Sequence, residues 1–305
     1  MSLQASLLKI MFRYAIAYFA STNPSVEDWR VMFEKFAGYI KLPSDVHTQP
    51  VSAGSVPAEW IDTPGISDHQ VDIHLHGGAY YMGSINSYRD FVARIGRAAG
   101  MRSLVIDYRL APENPYPAAL EDATSAYRWL LAEGYDPAKI IISGDSAGGG
   151  LALSTLVSLR DAGDPLPAGA VCLSPWTDLA LTGDSIKTKE KADPINKLSF
   201  LEFSGPLYAG EYDLTDPLIS PLYADFHGLP PLLVQVGTEE VLLDDSTRLA
   251  ERARAAGVDV TLEVWKGMVH VFQSNARIVP EACQALEKIG LFMRQQIGIP
   301  NSVGP

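Results

Sequence analysis

A serine with G-x-S-x-G spacing lies in the run Gly144-Asp145-Ser146-Ala147-Gly148. A β-branched stretch at 139–143 precedes this run, and a helix-forming stretch begins at Ala147. A serine on so tight a strand-to-helix turn has a strained backbone that small neighbours permit, and its hydroxyl projects from the carboxyl edge of the sheet. The context therefore predicts that Ser146 is a nucleophile rather than part of a structural Gly/Ser turn.

Backbone N–H groups that could stabilise an oxyanion are expected at two places. His76-Gly77-Gly78-Ala79 directly follows the strand-like residues 71–75, and adjacent glycines let N–H groups face a ligand without side-chain obstruction. Ala147 begins the helix behind the serine, and the first N–H groups of a helix have no intrahelical partner. The expected oxyanion donors are the N–H groups of Gly77, Gly78 and Ala147.

A nucleophilic serine also needs a base, and six histidines compete for this role. His270 follows the last strand-like run and precedes the final helix, which places it at the carboxyl edge of the sheet. In this fold class the chain order is serine, acid, histidine, and only His270 comes late enough to follow an acid in a loop after a strand. The other five histidines are interpreted as non-catalytic: His76 in the oxyanion loop, His74 facing inward from a strand, His47 and His69 at the surface, and His227 in a loop.

The acid that orients the histidine is expected in the loop after the strand-like run 232–236. This loop contains four carboxylates, which are Glu239, Glu240, Asp244 and Asp245. The two aspartates are interpreted as the start of a helix, where negative charge is favourable. Glu239 and Glu240 lie in the loop itself, and spacing alone does not choose between them. Asp145 adjoins the nucleophile but is expected to point away from it and to have a structural role.

The elements that position these groups alternate along the chain as strands and helices. Strand-like runs occur at 46–51, 59–63, 71–76, 103–107, 139–143, 169–173, 232–236 and 260–264. Helical stretches occur at 88–99, 117–132, 147–161, 244–256 and 281–296. This alternation predicts an α/β fold in which a mostly parallel eight-stranded sheet is flanked by helices, with the catalytic groups at its carboxyl edge.

Two segments fall outside this alternation. Residues 1–45 are interpreted as two helices joined at Thr22-Asn23-Pro24-Ser25, and residues 180–212 contain no strand-like run. An insertion of this length is typical of an active-site lid. We therefore expect a helical cap over the serine, built from 1–45 and 180–212, with 46–179 and 213–305 as the core. The alternative is a surface excursion without a catalytic role.

Composition limits the classes of protein. The chain has 305 residues, of which 47% are apolar and 20% charged, and a net charge of −12. This charge argues against nucleic acid or an anionic membrane as the main partner. Lys9 and Arg13 interrupt the apolar residues 3–19, whose helical spacing indicates an amphipathic surface helix rather than a membrane span. Two cysteines cannot form a disulfide framework, and we expect a cytoplasmic protein.

Six stretches of the chain resemble the hormone-sensitive-lipase family of α/β-hydrolases, a group of bacterial esterases and lipases with an N-terminal cap. They are His76-Gly77-Gly78-Ala79, Asp107-Tyr108-Arg109-Leu110-Ala111-Pro112-Glu113, Pro117-Ala118-Ala119-Leu120-Glu121-Asp122, Gly144-Asp145-Ser146-Ala147-Gly148-Gly149, Ser174-Pro175-Trp176-Thr177-Asp178 and His270. Relatives commonly show acid-x-Leu-x-Asp at the acid position, and this frame selects Glu240 over Glu239. The chain departs from the family in having glutamate instead of aspartate there, and Ala79 where many relatives have a third glycine.

The resemblance implies a carboxylesterase that hydrolyses short- to medium-chain acyl esters through Ser146, His270 and Glu240, by way of an acyl-enzyme intermediate. It implies no metal and no organic cofactor. An amidase or an acyltransferase would need the same triad and is the alternative, whereas a ligand receptor is disfavoured because His270 is present. We expect the last strand to lie at an edge of the sheet, where its unpaired backbone groups could pair with another chain. Relatives that resemble this family often dimerise at this strand, and the resemblance therefore predicts a two-fold homodimer. The alternative is a covered edge and a monomer.

Overall fold

A single eight-stranded sheet forms the centre of the protein in a computed structural model that describes residues 1–39 and 41–299. The strands are β1 (His47–Ala53), β2 (Val56–Asp62), β3 (Ser67–Leu75), β4 (Met101–Ile106), β5 (Ile140–Asp145), β6 (Gly169–Leu173), β7 (Leu232–Gly237) and β8 (Val260–Trp265). Their order is β1-β2-β4-β3-β5-β6-β7-β8. β2 is antiparallel to β1 and β4, and the remaining neighbours are parallel. The predicted α/β-hydrolase fold with a mostly parallel sheet is confirmed.

Helices cover both faces of this sheet. They are α1 (Leu3–Ala20), α2 (Val26–Gly38), α3 (Ile85–Ala99), α4 (Ala118–Ala132), α5 (Ala147–Ala162), α6 (Ser185–Thr188), α7 (Leu198–Ala209), α8 (Leu243–Ala255) and α9 (Pro280–Gln296). Side chains alternate between the faces, so on β5 Ile140 and Ile142 pack with the cluster that includes α4, α5 and α8, while Ile141 packs with α3 and α9. Each helix and strand expected from the sequence overlaps one of these elements.

The parallel strands bring distant parts of the chain to one edge of the sheet. Leu75 of β3 pairs with Gly144 of β5, and Asp145 pairs with Leu173 of β6. Gly237 of β7 pairs with the last residue of β8. The loops that leave β3, β5, β6, β7 and β8 therefore start side by side, although they are up to about 190 residues apart in sequence.

The first two helices and the insertion (residues 180–212) contact each other. The ring of Trp29 on α2 lies 5.5 Å from that of Phe200 on α7, in an edge-on arrangement. Arg13 on α1 donates hydrogen bonds to the carbonyl oxygens of Lys191 and Ala192, at 3.2 and 3.4 Å. Within its described residues the insertion has two helices and no strand, as the sequence indicates.

The solvent-facing side of α1 is apolar, which the sequence did not predict. The apolar stripe that suggested an amphipathic helix is largely exposed, with Leu7 57%, Met11 53%, Tyr14 73% and Tyr18 77% accessible. The buried residues of the helix are instead Ala5 and Leu8. Ala5 and Leu8 pack in the apolar cluster of α3 and α9, and on the same helix Lys9 pairs with Glu239 and Arg13 binds the insertion. No helix in the described part of the chain is long and apolar enough to cross a membrane.

Candidate active site

Ser146 lies on a strained turn between β5 and α5. Its φ of 52° and ψ of −121° fall outside the regions that a residue with a side chain normally adopts, and its N–H donates to Leu173 O at 2.8 Å. A Cβ added at Gly144 would lie 2.3 Å from Gly148 O, and one added at Gly148 would lie 2.0 Å from Leu75 O. These two positions therefore require glycine, as the sequence motif predicts.

The N–H groups of the oxyanion loop (residues 76–79) are not equivalent. Gly77 N–H donates to Asp145 Oδ1 at 3.1 Å, and the other oxygen of Asp145 accepts the Tyr88 hydroxyl at 3.0 Å. Asp145 thus fixes the start of the loop, which agrees with its expected structural role. His76 is fully buried and stacks on Tyr108 with ring centroids 4.2 Å apart. Among the three expected donors, Gly77 therefore differs from Gly78 and Ala147, because its N–H donates to Asp145 Oδ1.

His270 and Glu240 meet at the same edge of the sheet. Nδ1 of His270 lies 2.9 Å from Oε2 of Glu240, and the two side chains are 7% and 0% exposed. A carboxylate only accepts hydrogen bonds, so this contact places a proton on Nδ1 and leaves the lone pair on Nε2. The structure joins these two predicted residues directly.

Glu240 rather than Glu239 occupies the place beside the histidine. Oε1 of Glu240 accepts hydrogen bonds from Ser174 Oγ at 2.9 Å and from Gly237 N–H at 2.5 Å, so both carboxylate oxygens are engaged. Glu239 points elsewhere and pairs with Lys9 of α1. Of the two glutamates between which spacing did not choose, Glu240 is therefore the one that contacts His270.

The environment of His270 raises the pKa of the imidazole above its ordinary value of 6.5. Burial by itself would lower this pKa, because it disfavours the charged form. The hydrogen bond and charge of Glu240, together with the charges of Asp193 and Asp145, outweigh the burial. The surroundings therefore stabilise an imidazolium at this position.

Ser174 was missed as an individual residue by the sequence reasoning, which noted it only within a motif. It follows β6 directly, has a φ of 47°, and its hydroxyl accepts the N–H of Val271 at 3.2 Å while donating to Glu240. Ser174 thus connects the acid to the loop that carries His270. Its place at the carboxyl end of a parallel strand was the available signal.

The other residues weighed from sequence lie where they were expected. His74 is fully buried on β3, and His47, His69 and His227 are exposed. Asp244 and Asp245 are in the first turn of α8, where Asp245 also accepts the N–H groups of Thr177 and Asp178. Among the described residues, no cluster of three or more histidine, cysteine or acidic side chains could hold a metal ion.

Comparisons with known proteins identify the fold family and the type of enzyme. A family model described as the α/β hydrolase fold matches residues 73–274. An acetyl-hydrolase of Streptomyces hygroscopicus is 42% identical over 280 residues, which span 90% of this chain and 92% of that protein. An esterase of Acinetobacter venetianus is 39% identical over 248 residues, covering 81% and 82% of the two chains.

Solved structures give the same assignment. The crystal structure of an esterase from the bacterial hormone-sensitive lipase family superposes with a TM-score of 0.94 at 49% identity, covering 98% of this chain and 99% of that one. The esterase EstE5, soaked with p-nitrophenyl butyrate, has a TM-score of 0.94 at 43% identity and covers 98% and 100%. The chain therefore belongs to the α/β-hydrolase fold family and, within it, to the bacterial hormone-sensitive-lipase esterases, which makes the protein a carboxylic-ester hydrolase.

Proposed function

We propose that the protein hydrolyses short- to medium-chain acyl esters with Ser146 as nucleophile, His270 as general base and Glu240 as orienting acid. The observation that carries the proposal is the buried hydrogen bond of 2.9 Å between His270 Nδ1 and Glu240 Oε2. It leaves Nε2 of His270 free to accept the proton of Ser146 as Oγ attacks the ester carbonyl. The imidazolium then protonates the leaving alcohol, and the acyl group stays on the serine.

The second half of the reaction uses the same groups in reverse. His270 removes a proton from water, the resulting hydroxide attacks the acyl-enzyme, and Ser146 leaves with the proton returned by the imidazolium. Glu240 stabilises the imidazolium in both halves, in accord with the raised pKa of His270. No step of this sequence calls for a metal or an organic cofactor.

The oxyanion formed in each half is assigned to the N–H groups of Gly78 and Ala147. Gly78 lies in the loop after β3, and Ala147 is the first residue of α5, whose N–H has no intrahelical acceptor. Gly77 was expected to be a third donor, but its N–H is bound to Asp145. Its proposed role is therefore to orient the peptide that leads to Gly78.

The proposed acyl chain length follows from the relatives and from the cap. The Streptomyces relative is named an acetyl-hydrolase, and EstE5 was soaked with a butyrate ester, so short acyl groups are favoured. We assign residues 1–45 and 180–212 to a cap that limits the acyl site, supported by the contact between Trp29 and Phe200. Residues 46–179 and 213–305 form the core in this proposal, and a small-molecule ester is the substrate.

Hydrolysis of p-nitrophenyl esters from acetate to palmitate tests this function, with p-nitroanilides of the same acyl groups for comparison. We expect the highest kcat/KM between two and about eight acyl carbons. Ser146→Ala should lower kcat/KM at least about 10³-fold, because members of a triad act as one unit. An organophosphate should label the wild-type protein once, at Ser146. Labelling at another residue, or full activity of Ser146→Ala, would refute the assignment.

A paired substitution of histidines tests the base. His270→Ala should abolish the activity, whereas the exposed His227, whose ring Nδ1 contacts Asp225 Oδ1, serves as the matched control. His227→Ala should retain wild-type rates. Comparable losses in both variants would argue against His270 as the specific base.

A further inference from the structure

Both peptide groups of Val241, the residue after the proposed acid, are bound by side chains of the insertion. Val241 N–H donates to Asp193 Oδ2 at 3.0 Å, and Val241 O accepts the hydroxyl of Ser185 at 2.5 Å. The same hydroxyl accepts Asp244 N–H at 2.9 Å. The backbone immediately beyond Glu240 is therefore held by a segment that lies about 50 residues earlier in the chain.

Asp193 is unusual for an acidic residue of a connecting segment, because its side chain is 0% exposed. Its second oxygen, Oδ1, accepts the N–H groups of Ile195 and Asn196 at 2.8 and 2.9 Å. Burial raises the pKa of Asp193, while the charge of His270 and the backbone donors oppose this rise. A carboxylate buried at such a cost, with three backbone donors directed at it, has a fixed position.

The charge of Asp193 also acts on the proposed catalytic pair. It is one of the three acidic groups that raise the pKa of His270, with Glu240 and Asp145, and it lies close enough to Glu240 for the two carboxylates to repel each other. Asp193 therefore binds the acid loop (residues 238–242) through a hydrogen bond and interacts with His270 electrostatically. Within the described part of the chain, Asp193 makes no hydrogen bond to Ser146 or His270.

We propose that Asp193 is a positioning residue that couples the insertion to the catalytic acid. By binding Val241 N–H it fixes the acid loop, so that Oε2 of Glu240 stays aligned with His270 Nδ1. This inference rests on the proposed function of Glu240 and His270. It gives the insertion a role in the rate of the reaction in addition to its proposed role in limiting the acyl site.

Asp193→Asn separates the coupling from the local fold of the insertion. The amide oxygen can keep the two N–H groups of Ile195 and Asn196, which leaves the amide NH₂ facing Val241 N–H. Two donors then oppose each other, so the contact with the acid loop is lost while the turn is kept. Asp213→Asn is the matched control, because Asp213 accepts Thr215 N–H in a similar turn but is exposed and lies outside the insertion.

Steady-state kinetics on p-nitrophenyl butyrate distinguish a positioning role from a structural one. We expect Asp193→Asn to lower kcat by about 10- to 100-fold, with KM changed less than about threefold, because misplacing a catalytic group costs rate rather than affinity. The acid limb of kcat/KM should also move to lower pH, since one of the charges that raise the pKa of His270 is removed. Asp213→Asn should match the wild type in both measurements.

A double-mutant cycle with Glu240→Gln supplies the decisive comparison. If Asp193 acts through Glu240, Asp193→Asn should change kcat by less than about twofold in the Glu240→Gln background. Full additivity, or wild-type kcat for Asp193→Asn alone, would overturn the inference. The proposed function fails separately, if Glu240→Gln itself is active.

A second variant keeps the inference testable if Asp193→Asn does not fold. Ser185→Ala leaves Asp193 in place and removes the hydrogen bond to Val241 O. It should also lower kcat without a comparable change in KM, while thermal unfolding remains cooperative. Unchanged kcat in folded Ser185→Ala would then contradict the inference.

Discussion

Replacing Glu240 by glutamine would change the protonation pattern of His270 without changing the shape of the site. Oε1 of Glu240 accepts Gly237 N–H, a backbone donor that cannot rotate away, together with the Ser174 hydroxyl. In the Glu240→Gln variant the amide oxygen would take the place of Oε1, and the amide NH₂ would face His270 Nδ1. Nδ1 would then have to accept a hydrogen bond, which moves the imidazole proton to Nε2, the atom that should receive the proton of Ser146.

The expected loss follows from this tautomer. A triad whose histidine is held in the wrong tautomer loses about 10³- to 10⁴-fold in kcat, or about 4 to 5.5 kcal/mol of transition-state stabilisation. The residual activity should have its acid limb at lower pH than the wild type. Removing the Glu240 charge eliminates the main cause of the raised pKa of His270, whereas burial, which lowers this pKa, stays.

The assay is the pH dependence of kcat/KM on p-nitrophenyl acetate between about pH 4 and 9, a range that brackets the ordinary imidazole pKa, with Glu239→Gln as the matched control. Glu239 is the adjacent carboxylate and pairs with Lys9, so its substitution removes the same charge from the loop without touching His270. Glu239→Gln should keep most of the activity. If Glu239→Gln lost most of its kcat/KM while Glu240→Gln stayed active, the acid would have been assigned one residue out of register.

Three further outcomes are expected. Ser174→Ala, which removes one hydrogen bond to the Glu240 carboxylate, should lower kcat about tenfold, and wild-type kcat would contradict this anchoring role. Asp72 is fully buried, and burial raises its pKa from 3.8 to about 6 against the opposing influence of His74 and Ser143. The folded state therefore holds the proton more tightly than the unfolded state, so stability falls as pH rises through this window. Asp72→Asn should raise the free energy of unfolding by about 2 to 3 kcal/mol more at about pH 8 than at about pH 4, and urea titrations showing an equal change at both would refute this sign. Finally, β8 lies at an edge of the sheet and Val264 is 45% exposed, so light scattering at micromolar concentration should give twice the 33.1 kDa of one chain, whereas the mass of one chain would refute the proposed homodimer.

Local patterns were sufficient to predict much of the fold and the candidate site. Alternation and glycine spacing located all eight strands and the turn at Ser146, because these signals depend on neighbouring residues. Chain order selected His270. The choice of Glu240 needed a resemblance, since two adjacent glutamates have the same local signal and differ only in which distant partner each contacts.

Contacts between distant segments were beyond the reach of these patterns. The hydrogen bond between Asp193 and Val241 spans 48 residues, and that between Ser174 and Glu240 spans 66. The outward-facing apolar side of α1 was missed for a similar reason. Helical periodicity identifies an apolar stripe but not the direction it faces, which depends on contacts of α1 with distant residues such as that of Lys9 with Glu239.

The proposed acid, Glu240, has a longer side chain than aspartate. Compared with aspartate, its carboxylate is one methylene farther from the backbone and has one more rotatable bond, so it loses more conformational freedom when it is fixed. The Ser174 hydroxyl and Gly237 N–H restrict Oε1, and restricting one oxygen directs the other toward His270. The binding of Val241 by the insertion restricts the backbone that carries the side chain. The extra length of glutamate is thus compatible with an oriented acid, because contacts from several separate segments fix both its carboxylate and its main chain.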